Sequence, residues 1–304
     1  MKIATTTGDF ALYVKTDKER IQELYNAGFR YIDLNMYRFT PDCIYMKDDW
    51  EKEVYSLKDF ATSLGMKFVQ AHSQGGNPLS DDSEHVDFLL KATIRSIEIC
   101  QILGIKNTVV HNGCRAGISK KEWFELNKAF FEKLIPTMER CGVNVLIENS
   151  TKKNMGDMYF VNTGKEMVEF IEYMNHPQFH ACWDTGHANC EGSQYQQIMD
   201  LGEHLYAIHY NDNHANCDEH VMPFLGTLNH DEVINALIDV KFKGYFTLES
   251  DSTFISQKGW PHARRSFEKN NRLFAPQLFM QRKMESLMYD IAKYMLFSYG
   301  IFEE

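Results

Sequence analysis

Three stretches decide how this chain is read: Val143-Asn-Val-Leu-Ile-Glu148, Phe179-His-Ala-Cys-Trp-Asp184 and Leu205-Tyr-Ala-Ile-His209. Each is a short apolar run rich in β-branched or aromatic residues, which suits a strand. Each also closes on a carboxylate or an imidazole. The same kind of run recurs outward at residues 2–6, 29–35, 67–72, 107–111 and 245–249, making eight in all. Between the runs lie segments at 48–64, 83–103, 120–140, 165–174 and 231–240 whose apolar residues fall three and four apart, the spacing of an amphipathic helix. Gly104, Gly142 and Gly244 follow helical patterns, where a left-handed C-cap is expected.

Strands alternating with helices mean βα units and a parallel sheet. Eight such units over about 250 residues is the arithmetic of a closed barrel. No Gly-x-Gly-x-x-Gly follows the first run, so the dinucleotide fingerprint of the open doubly wound fold is absent. The expected fold is α/β, a single (β/α)8 TIM barrel over residues 1–304 with a loop and helix extension at about 255–304. The last helical pattern opens at Pro276 and runs to about Tyr299. Packing against the outside of the barrel is the expected role of that helix, with a dimer contact as the alternative.

Composition narrows the function. The chain has 304 residues, with 32 Lys+Arg against 42 Asp+Glu and a net charge of −10, which argues against a partner such as nucleic acid or anionic lipid. Hydrophobic residues at 44% supply a large core and exclude wholesale disorder. No stretch reaches the roughly 18 to 20 apolar residues of a membrane span, and the first twenty residues lack the apolar run of a signal peptide. The seven cysteines form no Cys-x-x-Cys pair, and their odd number suits no closed disulfide framework. Cys100, Cys141 and Cys182 sit among apolar neighbours and are expected in the core. A soluble, cytoplasmic protein is the expectation.

The ends of the runs are the informative feature. Six consecutive runs close on His72, His111, Glu148, Asp184, His209 and Glu249. Parallel strands of a barrel deliver their C-terminal residues to one mouth. Along the last run Tyr245, Thr247 and Glu249 share a face, while Phe246 and Leu248 share the other and must meet the helices. Glu249 therefore points toward the barrel axis. Carboxylates brought together repel unless a cation neutralises them. Oxygen and imidazole donors without thiolate suit Mn, Co, Zn or Mg.

Longer motifs surround these residues: Val-Leu-Ile-Glu-Asn at 145–149, Trp-Asp-Thr-Gly-His-Ala-Asn at 183–189, Ile-His-Tyr-Asn-Asp at 208–212, Asp218-Glu-His220 with Pro223 and Gly226, and Thr-Leu-Glu at 247–249. Over nearly its whole length the chain resembles the xylose-isomerase-like barrel superfamily, in particular its sugar phosphate isomerase/epimerase branch. The resemblance to its ketose 3-epimerases implies one divalent metal ion held by Glu148, Asp184, His209 and Glu249. It also implies that Glu148 and Glu249 are catalytic. One would remove a proton from carbon beside a carbonyl, and the other would return it on the opposite face, through a metal-stabilised enediolate. Dehydration of an inosose or keto-polyol begins with the same deprotonation and stays open.

Apurinic-site endonucleases on this barrel share a wider pattern, which adds His72, His111, His187, Asp218 and His220 to the four and would hold three Zn. Those five residues are thus candidates for substrate binding or for additional metal, with His187 expected on the loop beyond strand six. The loops around the mouth hold few basic residues, so a small sugar rather than DNA is the expected partner. Trp260 and the aromatic segment 35–45 are candidates for a wall that excludes water. Arg264 and Arg265 suit either a substrate phosphate or a surface ion pair. A homo-oligomer is compatible with all of this.

Overall fold

The computed structural model describes residues 1–254 and 277–304. Eight strands are formed: β1 Ile3–Thr6, β2 Tyr31–Asn35, β3 Lys67–His72, β4 Asn107–Val109, β5 Asn144–Glu148, β6 Phe179–Asp184, β7 Leu205–His209 and β8 Phe246–Leu248. Neighbours pair in parallel in the order β7-β6-β5-β4-β3-β2-β1-β8. The seam between β7 and β8 is closed by Tyr210 N donating to Thr247 O at 2.7 Å and Glu249 N donating to Tyr210 O at 3.1 Å. The sheet is therefore the wall of a (β/α)8 barrel.

The helices are α1 Asp17–Ala27, α2 Trp50–Ser63, α3 Ser83–Leu103, α4 Lys120–Phe131, α5 Ile135–Cys141, α6 Lys152–Met155, α7 Gly164–Met174, α8 Thr185–Asn189, α9 Tyr195–Leu201, α10 His230–Asp239 and α11 Leu278–Ser298. None among the described residues is long and apolar enough to cross a membrane. Local chemistry sets their ends. Thr16 with Glu19, and Thr163 with Glu166, close reciprocal capping boxes at the starts of α1 and α7. Gly104 (φ 80°) and Gly142 (φ 63°) end α3 and α5 in the left-handed conformation, as expected.

Two expectations are corrected. The 120–140 segment is two helices, because Pro136 lacks an N–H and its ring would meet the carbonyl four residues earlier; the chain restarts with Pro136 in the first turn of α5. Gly244 is not a left-handed cap. Lys241 takes that conformation (φ 59°) after α10 instead. Gly244 serves close approach: a Cβ there would lie 2.3 Å from Phe242 Cζ and 3.0 Å from Tyr206 O.

Side-chain alternation divides the core in two. Val145, Ile147, Ala181, Trp183, Phe246 and Leu248 belong to the large layer between sheet and helices, whereas Val109, Leu146, Cys182 and Ala207 form a small cluster of their own. The second set has the parity of Glu148, Asp184 and His209, so it plugs the barrel interior beneath the mouth. Cys100, Cys141 and Cys182 are all buried. Trp123 anchors one side of the outer layer, edge-on to Tyr159 and Phe170 and donating from Nε1 to Gly113 O at 2.7 Å.

Helix α11 packs on the barrel's outside, where Arg282 Nη2 meets Glu23 Oε1 of α1 at 2.9 Å. It also brings Glu285, fully buried, against Asp9 in the turn after β1. Gln281 Nε2 donates to Asp9 O at 3.0 Å, and Thr5 Oγ1 donates to Asp9 Oδ2 at 2.8 Å. Burial pushes Glu285 up to about 8, and burial with the neighbouring Glu285 charge holds Asp9 well above the usual carboxylate range, so the two carboxyls share a proton. The native state thus binds a proton that the unfolded chain releases near pH 4.5, and stability falls as pH rises from there toward 8, by up to about 1.4 kcal/mol per pH unit. Glu285→Gln is expected to flatten this decline. Thermal melts at pH 5 and pH 8.5 should show the variant gaining on wild type only at the higher pH, and equal slopes would refute the shared proton.

Candidate active site at the barrel mouth

Every described residue singled out from the strand ends is brought to one rim. Glu148, Asp184 and His209 are the last residues of β5, β6 and β7, and Glu249 follows β8 directly. One ligand atom from each lies within 4.8 Å of the other three. His209 and Glu148 form a short Nδ1–Oε1 contact, and the same Nδ1 lies 3.2 Å from Glu249 Oε2. Asp184 is held from two sides: its Oδ2 accepts from Asn211 Nδ2 at 2.7 Å and its Oδ1 from the His187 backbone N–H at 2.7 Å.

The outer five residues flank this core in two groups. His111 Nε2 meets Glu148 Oε2 at 2.8 Å and His72 Nε2 at 3.1 Å. His111 sits two residues past the end of β4 rather than on the strand. On the other side Asp218 lies between His187 (3.0 Å) and His220 (3.1 Å). His187, expected on a loop, is on the one-turn helix α8, because Asp184 both ends β6 and caps that helix. Its Nδ1 is 2.7 Å from Asn149 O. Trp260, Arg264 and Arg265 lie outside the described residues.

The charges show what the cluster requires. Burial alone would raise Glu148, but the His209 charge and hydrogen bonds from His111 and His209 hold it well below the usual carboxylate range. Glu249, whose largest influence is burial, is pushed up to about 7. Burial opposes charge on the imidazoles too, yet the surrounding carboxylates raise His209 and His220 well above the ordinary value and His187 to about 10. Such demand for positive charge among oxygen and imidazole donors is what a divalent cation satisfies. Glu148, Asp184, His209 and Glu249 fit that group; His72 with His111, and His187 with His220, form two further donor groups beside it.

The mouth opens into a cavity of about 1020 Å³ that reaches from Glu148 and Glu249 to Phe39 and Tyr45. Of the aromatic segment 35–45, Tyr37 comes nearest the cluster, edge-on to His72 and His111 at 5.1 and 5.6 Å. Gly75 permits this: a Cβ there would lie 2.1 Å from Tyr37 Cζ.

Sequence reasoning passed over Asp33 and gave Asn149 and Asn211 no role beyond their motifs. Asp33 is fully buried on β2, with Oδ2 3.3 Å from His209 Nε2. The available signal was a carboxylate in the middle of the apolar run Tyr31-Ile-Asp-Leu-Asn35.

Comparison with known proteins agrees with this architecture. The chain is 24% identical over 246 residues, 75% of its own length and 76% of the relative, to an L-ribulose 3-epimerase of Methylomonas sp. strain DH-1. The structure of D-psicose 3-epimerase with D-tagatose from Clostridium cellulolyticum H10 superposes with a TM-score of 0.74 at 18% identity, covering 97% of this chain and 99% of that one. The IOLI protein with a bound zinc atom superposes with a TM-score of 0.74 at 16% identity over the full length of both chains. A family model described as xylose isomerase-like TIM barrel matches residues 21–270. With eight parallel strands closed around a rim of carboxylates and imidazoles, and a family match over most of its length, the chain belongs to the xylose isomerase-like TIM barrel family.

Proposed function

We propose that this chain is a divalent-metal-dependent sugar isomerase or epimerase, acting on carbon beside a carbonyl. One observation carries the reading: three carboxylates and an imidazole converge within 4.8 Å, with Glu148 held ionised and Glu249 pushed up to about 7. The sugar 3-epimerases among its relatives support a ketose as substrate. Glu148, Asp184, His209 and Glu249 would hold the divalent ion, which would supply Lewis-acid polarisation of the substrate carbonyl. Glu148, kept in its basic form by His111 and His209, accepts the proton leaving carbon. Glu249, with a proton available near neutral pH, returns one to the opposite face. His187 and His220 face substrate oxygens across the mouth, and Tyr37 packs edge-on against His72 and His111.

The convergence of His72 and His111 on Glu148, and of His187 and His220 on Asp184, gives one specific support to a second reading, a three-zinc phosphodiesterase. Metal analysis separates the two: one bound equivalent of Mn or Co fits the sugar enzyme, and three of tightly held Zn fit the nuclease. The direct test is a screen of ketoses and inososes for deuterium incorporation from heavy water, run on metal-reconstituted protein. Exchange at a carbon beside a carbonyl is the expected result. A complete failure across ketopentoses, ketohexoses, their phosphates and inososes, by protein shown to carry metal, would remove the enolising reading.

A further inference from the structure

We propose that Asp33 is a positioning residue for the metal centre. Sealed in the barrel beneath the rim, its carboxylate takes the Nε2–H of His209 and so fixes that ring with the Nδ1 lone pair turned toward Glu148 and Glu249. The inference rests on the metal-dependent reading above and adds the residue that makes His209 a competent ligand.

Asp33 is 0% exposed, on the interior face of β2. A carboxylate removed from water is costly unless hydrogen bonds or an opposite charge compensate it. Its Oδ2 has two neighbours, His209 Nε2 at 3.3 Å and Gln70 Nε2 at 3.4 Å. Among the described residues Asp33 Oδ1 has no hydrogen-bond partner and neither has His209 Nε2, whose neighbouring carboxylate oxygen is Asp33 Oδ2 at 3.3 Å. A role confined to Gln70 would not require a charge, since an asparagine carbonyl accepts from an amide equally well. Only the imidazole N–H benefits from a full carboxylate.

The tautomer follows. The other ring nitrogen, Nδ1, faces Glu148 Oε1 and Glu249 Oε2. A proton on Nδ1 would present N–H rather than a lone pair to a cation at that position. A carboxylate at Nε2 holds the proton on the far side and raises the basicity of the ligating nitrogen. Asp33 is itself supported. Thr247 Oγ1 donates to Gln70 Oε1 at 3.3 Å, which leaves the Gln70 amide N–H for Asp33. Polar groups from β8, β3 and β2 thus run in sequence under the mouth to reach the ligand on β7. Cys182 also lies beside His209, but a thiol is a weak acceptor and carries no charge to match.

Zinc titration against a chromophoric chelator tests this, with the histidine ¹H–¹⁵N spectrum of the zinc-loaded protein as a second readout. Wild type is expected to show His209 as the Nε2–H tautomer. Asp33→Asn is expected to bind zinc roughly 10- to 100-fold more weakly, while melting in chelator at the wild-type temperature. An Nδ1–H tautomer in wild type overturns the proposal with no variant needed. Equal zinc affinity in Asp33→Asn also overturns it, as does a loss of affinity matched by an equal loss of stability in chelator, which would make Asp33 structural. Wild type that binds no zinc, Mn²⁺ or Co²⁺ removes the metal reading itself, an outcome distinct from all of these.

Discussion

Glu148→Gln will abolish exchange of the substrate's carbon-bound proton with deuterated water and leave the barrel folded. The side chain is nearly isosteric, and its remaining carbonyl can still accept from His111, which meets Glu148 Oε2 at 2.8 Å in wild type. What disappears is the basic oxygen. Removing a positioned acid or base slows proton transfer by about 10²- to 10⁴-fold, and Glu148 also belongs to the proposed ligand set. Glu249→Gln should behave differently. With Glu148 intact, one epimer of the substrate still loses its proton and regains deuterium on the same face, so exchange survives without product. Comparing both epimers by NMR distinguishes the two variants. Wild-type exchange by Glu148→Gln would remove this residue from the chemistry.

Stripping divalent metal is expected to stop turnover and to lower the melting temperature together. Glu148, Asp184 and Glu249 place oxygens within 4.8 Å of one another, an arrangement that gains stability from a bound cation. At a free metal concentration 100 times Kd, linkage supplies about 2.7 kcal/mol, or roughly 5 °C for a domain of this size. Chelator should remove that increment, and Mn²⁺ or Co²⁺ should restore it along with exchange. Full exchange by protein shown to be metal-free by elemental analysis would contradict the reading.

The strands and the parity of their side chains were legible because both depend on local pattern. Val145 and Ile147 alternate with Leu146 and Glu148, and once the chain is taken as a barrel only one face can meet helices. Phe246 and Leu248 dispose of Glu249 by the same logic. Gly244 misled for the opposite reason: its role is set by the Phe242 ring and the Tyr206 carbonyl, the latter 38 residues away, and no local rule sees the second.

By itself, then, the sequence determined the eightfold alternation, the shared direction of the strands and the chemical character of the rim, since period, capping and residue type act over a few neighbours. Only the tertiary structure decided which rim carboxyl burial pushes up and which its neighbours hold down, which face of α11 buries Glu285 against Asp9, and that Asp33 stands behind His209. Those outcomes depend on distances between residues far apart in the chain and on how much water their packing excludes. Both exist only once the barrel has closed.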